Sequence, residues 1–211
     1  MDFSGKNVWV TGAGKGIGYA TALAFVEAGA KVTGFDQAFT QEQYPFATEV
    51  MDVADAAQVA QVCQRLLAET ERLDVLVNAA GILRMGATDQ LSKEDWQQTF
   101  AVNVGGAFNL FQQTMNQFRR QRGGAIVTVA SDAAHTPRIG MSALASSLNS
   151  AFRWGKSPVH KRSPTRFCSS PLTSPAISPY RILWSMAAQR WGHKHDLETP
   201  FNARRTERHQ R

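Results

Sequence analysis

Cysteine is scarce in this chain. Cys63 and Cys168 are the only two in 211 residues, too few for a disulfide framework and without metal-ligand spacing. That scarcity argues for a reducing, cytoplasmic setting. Long apolar runs are also missing. Nothing approaches the roughly 18 uninterrupted apolar residues of a membrane span, and Asp2 opens a stretch with no apolar signal core. A soluble protein with no membrane partner is expected. No internal repeat is present.

Other scarcities are local. Residues 144–211 hold two of the sixteen glycines but six of the eight prolines and four of the five histidines. Acidic residues thin out there too. Residues 1–143 carry 11 Lys/Arg against 14 Asp/Glu, whereas residues 144–211 carry 12 against 3, so the formal charge of +6 averages a mildly acidic front and a strongly basic end. The length suits one well-buried domain rather than two. The expected organisation is therefore a domain over 1–143 followed by a tail of foreign statistics over 144–211.

The front alternates short apolar runs with helical spacing. Strands are expected at residues 7–10, 31–35, 49–51, 74–79 and 125–130, the last two as β-branched runs bounded by turn residues. Helices are expected at 18–28 and 59–67, with one or two more across 93–119. Strict alternation predicts an α/β fold: a Rossmann-like doubly wound parallel sheet of about five strands, covered by helices on both faces. Beyond Ala143 the pattern stops. Five Ser-Pro pairs between 157 and 179 disfavour helix and central strand alike. An irregular or disordered basic tail is expected, with a short helix at 182–190 and local collapse around Trp154, Trp184 and Trp191.

The chemistry begins at Thr11-Gly-Ala-Gly-Lys-Gly-Ile-Gly18, which follows a strand and opens a helix. Glycines let backbone approach a pyrophosphate, and a helix N-terminus supplies N–H donors and a positive dipole end. Gly12, Lys15, Gly16, Ile17 and Gly18 are the candidate phosphate cradle. A tight turn is the bland alternative, but the strand–turn–helix context favours the cradle. Asp36 closes the second strand, where a carboxylate accepts hydrogen bonds from a ribose and repels a 2′-phosphate. NAD is therefore expected over NADP. Lys15 pulls mildly the other way, and a solvated turn aspartate is the competing reading of Asp36.

These residues, with Asn78-Ala-Ala-Gly81, Asn103 in a helix and Ser131 ending the fifth strand, form the pattern of the short-chain dehydrogenase/reductase family. The chain resembles that family over about 143 of its 211 residues. The runs beginning at Met1, Gly81 and Ser131 resemble one NAD-dependent branch still more closely. The resemblance implies that Gly12, Gly16 and Gly18 surround the pyrophosphate and Asp36 holds the ribose. Asp52 and Val53 would border the adenine, and Asn78, Ala79, Ala80 and Gly81 would line the cleft. Asn78 has an alternative as a tie between adjacent strands.

The implied reaction oxidises a ring hydroxyl of a small cyclohexadiene diol carboxylate, with hydride passing to NAD and the product tautomerising to a catechol. Ser131 would orient the hydroxyl and Asn103 would serve a proton relay. Taken alone, the first reads as a helix cap and the second as an ordinary helix polar. Arg84 and Arg138 would pair with the substrate carboxylate, or else be solvated surface arginines. The family's base is a tyrosine with a lysine four residues on. Tyr19, Tyr44 and Tyr180 are followed at that offset by Leu23, Thr48 and Trp184, and Leu144 and Leu148 stand at the family's positions. Neither leucine carries a proton or a charge, so little or no turnover is expected.

The abrupt change after Ala143 is what out-of-frame translation or an unrelated fusion would produce. It removes the expected catalytic helix and leaves Val104, Phe108, Phe111 and Met115 without their cover. Family members are homo-oligomers that use this region, so assembly is expected to be compromised. The basic pairs Lys161-Arg162 and Arg204-Arg205, with Arg208, lie among Trp and His. They form no helical stripe and no recognised motif, which argues against a nucleic-acid partner.

Overall fold

The computed structural model describes residues 2–131, 133, 139–153 and 180–186, with side chains described as far as residue 147. Six strands form one parallel sheet: β1 (Asn7–Thr11), β2 (Lys31–Asp36), β3 (Ala47–Val50), β4 (Val75–Asn78), β5 (Gly124–Ala130) and β6 (Tyr180–Met186). Their order across the sheet is β3-β2-β1-β4-β5-β6. The chain thus leaves β1 for β2 on one side and later returns to place β4 on the other, and this reversal opens a crevice at the carboxyl ends of the strands. The expected parallel α/β sheet is what the chain forms.

Burial explains the strand sequences. β4 is buried at every residue and β1 at all but its first, as interior strands covered on both faces must be. Successive side chains go to opposite faces. Val8, Val10, Val32 and Val77 pack with Ala22 and Phe25 of helix α1 (Gly16–Glu27). Trp9, Phe35 and Leu76 pack on the other face with Val59 and Cys63 of α2 (Ala56–Glu69) and with Leu110 and Phe118 of α4 (Gly106–Arg120). Each fully buried side chain of this size contributes about 1.5–3 kcal/mol. β3 is mostly exposed, which is why apolar pattern placed it two residues late.

Caps set the helix starts. Asp55 accepts from the amides of Ala57 and Gln58 at 2.9 and 3.1 Å, beginning α2. Ser92 accepts from Asp95 N at 3.0 Å to begin α3 (Lys93–Phe100), whose first turn carries Glu94 and Asp95 at the positive end of the dipole. A single π-helical turn, Ala101–Gly105, joins α3 to α4 and holds Asn103. Such turns interrupt a helix to redirect a side chain, frequently at functional sites.

The region past Ala143 departs from expectation in three respects. A helix, α5 (Ser142–Arg153), forms where the pattern was expected to stop, and it packs against α3 and the π turn. Residues 180–186, in part expected as helix, form β6 along the outer edge of β5, from Gly124 opposite Tyr180 to Ala130 opposite Met186. The apolar face of α4 is also less open than expected. Phe111 and Met115 pack on the core, Val104 is half-buried, and Phe108 is 42% exposed. Among the described residues, no helix is long and apolar enough to cross a membrane.

Candidate functional site

The predicted phosphate cradle is built by close approach of backbone to backbone. Thr11 ends β1 and its hydroxyl accepts from the amides of Ala79 and Ala80, both at 3.1 Å, while facing Val77 O at 3.5 Å. This draws the loop after β4 under the glycine turn. A Cβ on Gly12 would lie 2.9 Å from Ala79 O, and one on Gly18 would collide with the Gly12 carbonyl. Gly16 differs. Its φ of 59° favours glycine, and nothing lies within 4 Å of where its Cβ would stand. That open side faces outward from the N-terminus of α1, where an anion would sit. Lys15 is the exposed N-cap residue of α1 and Ile17 is 46% exposed on its first turn, so both flank this opening.

Asp36 stands where the sequence placed it, at the carboxyl end of β2. One carboxylate oxygen accepts from Gly14 N and the other from Gln37 N, both at 2.8 Å. Each oxygen keeps a lone pair for a ribose hydroxyl, so the residue ties β2 to the glycine turn and still presents an acceptor. Asp52 accepts from Ala54 N at 2.9 Å in the turn leading to α2. Val53 beside it is buried, its carbonyl held by Asn109 Nδ2 at 2.9 Å, and Gly106 has no room for a Cβ against it.

Asn78 ends β4, is buried, and donates to Thr128 Oγ1 of β5 at 3.4 Å. The strand tie is therefore real, and it leaves Asn78 Oδ1 as a buried acceptor unmatched among the described residues. Gly81 lies against Asn103, whose Oδ1 would be 3.4 Å from an added Cβ. Asn103 itself is buried and doubly paired with Ile82, accepting from its amide at 2.9 Å and donating to its carbonyl at 3.1 Å. It also reaches Ser147 Oγ of α5 at 3.3 Å, and Ser147 donates to Leu144 O at 3.0 Å. One asparagine thus joins the cleft wall after β4 to the helix carrying Leu144 and Leu148. Leu144 is half-buried in the first turn of α5. Ser131 follows β5, half-buried, and its hydroxyl accepts from Ala133 N at 3.2 Å.

Arg84 is turned onto α3, contacting Gln98 Oε1 at 3.3 and 2.9 Å and Asp95 at 3.4 Å, with 45% of its side chain exposed. Arg138 lies outside the described residues. No cluster of three or more His, Cys, Asp or Glu that could hold a metal occurs among the described residues. An open depression of about 410 Å³ bordered by Glu69, Glu71 and Arg120 lies toward the opposite, amino edge of the sheet, away from this cleft.

Three contributors were not singled out in the sequence. Thr11 sits inside the glycine motif, so its position was visible though its role was not. Ser147 could be found only once α5 packed beside the π turn. Tyr44, whose hydroxyl donates to Gly14 O at 3.0 Å, is thirty residues from its partner.

The residues present fit a dinucleotide: a cradle open at Gly16, a carboxylate at the end of β2 and the crevice between β1 and β4. The short chain dehydrogenase family model matches residues 6–148. The 2,3-dihydro-2,3-dihydroxybenzoate dehydrogenase of Escherichia coli (strain K12) is 97% identical over 147 residues, covering 70% of this chain and 59% of that protein. The protein of the same name from Bacillus subtilis (strain 168) is 36% identical over 164 residues, covering 72% and 62%. The ligand-free aldohexose dehydrogenase of Thermoplasma acidophilum superimposes with a TM-score of 0.69 at 28% identity, over 72% of this chain and 59% of that one. A gluconate 5-dehydrogenase from Burkholderia cenocepacia, solved with NADP and tartrate, gives 0.66 at 29% identity, over 72% and 64%. The chain thus spans about three fifths of the two curated relatives, 59% and 62% of their lengths. On its glycine cradle, its sheet order and these matches, the chain belongs to the short-chain dehydrogenase family.

Proposed function

We propose that this chain is an NAD-binding domain of the 2,3-dihydro-2,3-dihydroxybenzoate dehydrogenase lineage, in which the reaction itself has been lost or nearly lost. The ancestral reaction is oxidation of the cyclohexadiene diol carboxylate to 2,3-dihydroxybenzoate, the catechol unit of the enterobactin siderophore. The 97% identity to a 2,3-dihydro-2,3-dihydroxybenzoate dehydrogenase supports that substrate. Asp36, a carboxylate at the ribose position, supports NAD rather than NADP.

The dinucleotide, when bound, accepts the hydride. This chain's residues would do the rest. Gly12, Gly16, Gly18 and the N-terminus of α1 bind the pyrophosphate, Asp36 the ribose, and Asp52 and Val53 border the adenine, with Asn78 to Gly81 along the cleft. Ser131 orients the substrate hydroxyl, and Asn103 holds the loop after β4 against α5 at the head of a proton path. Arg84 and Arg138 are the candidates for the substrate carboxylate, Arg84 only after release from Asp95 and Gln98.

The carrying observation is Leu144. It sits in the first turn of α5, one turn from Ser147 and through it coupled to Asn103, which supports the reading that hydrocarbon occupies the station of the proton acceptor. Losing general acid–base catalysis is typically worth about 10²–10⁴-fold in rate. The family match runs to residue 148, and the sequence beyond it is an out-of-frame or fused tail that weakens oligomer assembly in a cytoplasmic protein.

Calorimetric titration with NAD and a turnover assay with the dihydrodiol test the two halves separately. Saturable NAD binding without steady-state turnover is expected. Turnover in the ordinary enzyme range of about 1–10³ per second would overturn the loss of catalysis, and absence of NAD binding would overturn the cofactor assignment.

A further inference from the structure

We infer that Tyr44 is a positioning and specificity-determining residue for the adenosine end of the cofactor, an inference that rests on the NAD assignment above. Its hydroxyl is shared by two segments. It donates to Gly14 O at 3.0 Å and accepts from the amides of Thr40 and Gln41 at 3.2 and 3.3 Å. The glycine turn is thereby fastened to the loop between β2 and β3, beside Asp36, which holds the amide of the same Gly14 from the other side.

The ring is held independently of its hydroxyl. Phe39 meets it edge-on with centroids 4.9 Å apart, Tyr19 edge-on at 5.9 Å and Phe46 tilted at 5.5 Å. Gly14 is buried, and a Cβ on it would come within 2.6 Å of Ala38 O. So the wall beside Asp36 consists of packed backbone fixed by one phenol.

The consequence concerns charge. Two successive backbone N–H groups pointing at one atom make a small concavity that suits an anion. Here the neutral phenol oxygen fills the concavity formed by Thr40 and Gln41, next to the carboxylate that would meet the ribose. Asp36 repels a 2′-phosphate, and Tyr44 removes the nearby donors that could otherwise hold one. Selection for an unphosphorylated ribose is thus made twice, once by a charge and once by a capped pair of amides.

The test compares full-length wild type, Tyr44→Phe and Phe46→Leu by calorimetric titration with AMP, adenosine 2′,5′-bisphosphate and NAD. Wild type is expected to prefer AMP. Tyr44→Phe keeps the ring and should narrow the preference of AMP over the bisphosphate by about three- to tenfold, the worth of one neutral hydrogen bond. Phe46→Leu loosens the same cluster and should lower stability without moving that ratio. A ratio unchanged in Tyr44→Phe, or both nucleotides weakened equally, overturns the proposal while leaving NAD binding intact. Wild type that binds neither nucleotide nor NAD overturns the cofactor assignment and this proposal with it. Amide hydrogen exchange on the unaltered chain gives a reading that survives a poorly folding variant. Slow exchange at Thr40 and Gln41 is expected, and exchange of both at the free-peptide rate overturns the capping role.

Discussion

The two sides of the cleft are made of different material. Around β1 and β2 the site is largely backbone: the glycine turn, the amides received by Asp36 and Thr11, and the carbonyl held by Tyr44. Around β5 and α5 it depends on a few side chains, namely Asn103, Ser131, Ser147 and the residues at 144 and 148. Backbone donors and acceptors are carried by the fold and persist as long as it does. Side-chain sites can lose their chemistry without disturbing it. Here α5 forms and its Ser147 meets Asn103 although leucine stands at the position proposed for the proton acceptor.

The largest test of that contrast would reverse it. Leu144→Tyr combined with Leu148→Lys should raise single-turnover hydride transfer from the dihydrodiol by about 10²–10⁴-fold, read as NADH absorbance in a stopped flow. An unchanged rate would mean that the catalytic side lacks more than its proton acceptor.

On the fold itself, Leu110→Ala removes a fully buried side chain from the face shared by α2, α4 and the sheet. Urea unfolding should give a loss of about 2–5 kcal/mol. Gly18→Ala places a methyl against the Gly12 carbonyl and should cost about 1–3 kcal/mol, together with NAD affinity. If affinity survives that change, the binding side is more adaptable than its packing implies.

Acid should act at the opposite edge of the sheet. Burial raises the pKa of the Asp74 carboxyl, but the hydrogen bond from Arg72, the Asn7 amide and the charges of Arg72 and Lys6 outweigh it, leaving a net lowering. Its contribution is therefore present above the unfolded value of about 3.9 and is lost as pH falls through the lower folded value. Asp74→Asn should weaken stability at neutral pH and flatten its fall on acidification, as followed by urea midpoints between pH 7 and pH 3, while NAD binding at pH 7 stays unchanged.

The smallest effect concerns Cys63. Burial pushes its thiol up to about 12, so alkylation mapped by peptide should leave it unlabelled in the native chain and label it in denaturant. Native labelling would place the α2 face among the mobile parts of the molecule.

How much was legible follows from the kind of signal each element carries. Strands β1 and β4 show as apolar runs because nearly all of their residues are buried, and β2 and β5 because part of each is. The cradle shows because glycines at fixed spacing have few other uses. Residues 142–153 carry a weaker signal: Ala143, Leu144, Leu148 and Phe152 recur at helical spacing, but the Ser-Pro pairs that follow break the pattern. Tyr180 to Met186 is a short apolar run of the sort that reads equally as strand or helix, and pairing along β5 decided it.

The amino-acid order alone determined the alternation of strand and helix, the glycine turn with its carboxylate eighteen residues on, and the hydrocarbon at 144 and 148. These are local, since each needs only neighbours in the chain or a fixed offset. Tertiary structure alone decided that Thr11 holds the loop after β4, that Tyr44 caps two amides while gripping Gly14, and that Asn103 bridges Ile82 and Ser147. Those contacts join residues 21 to 69 positions apart, apart from the Tyr44 cap on its own loop. A hydrogen bond over such a separation exists only after the sheet has brought its strands side by side.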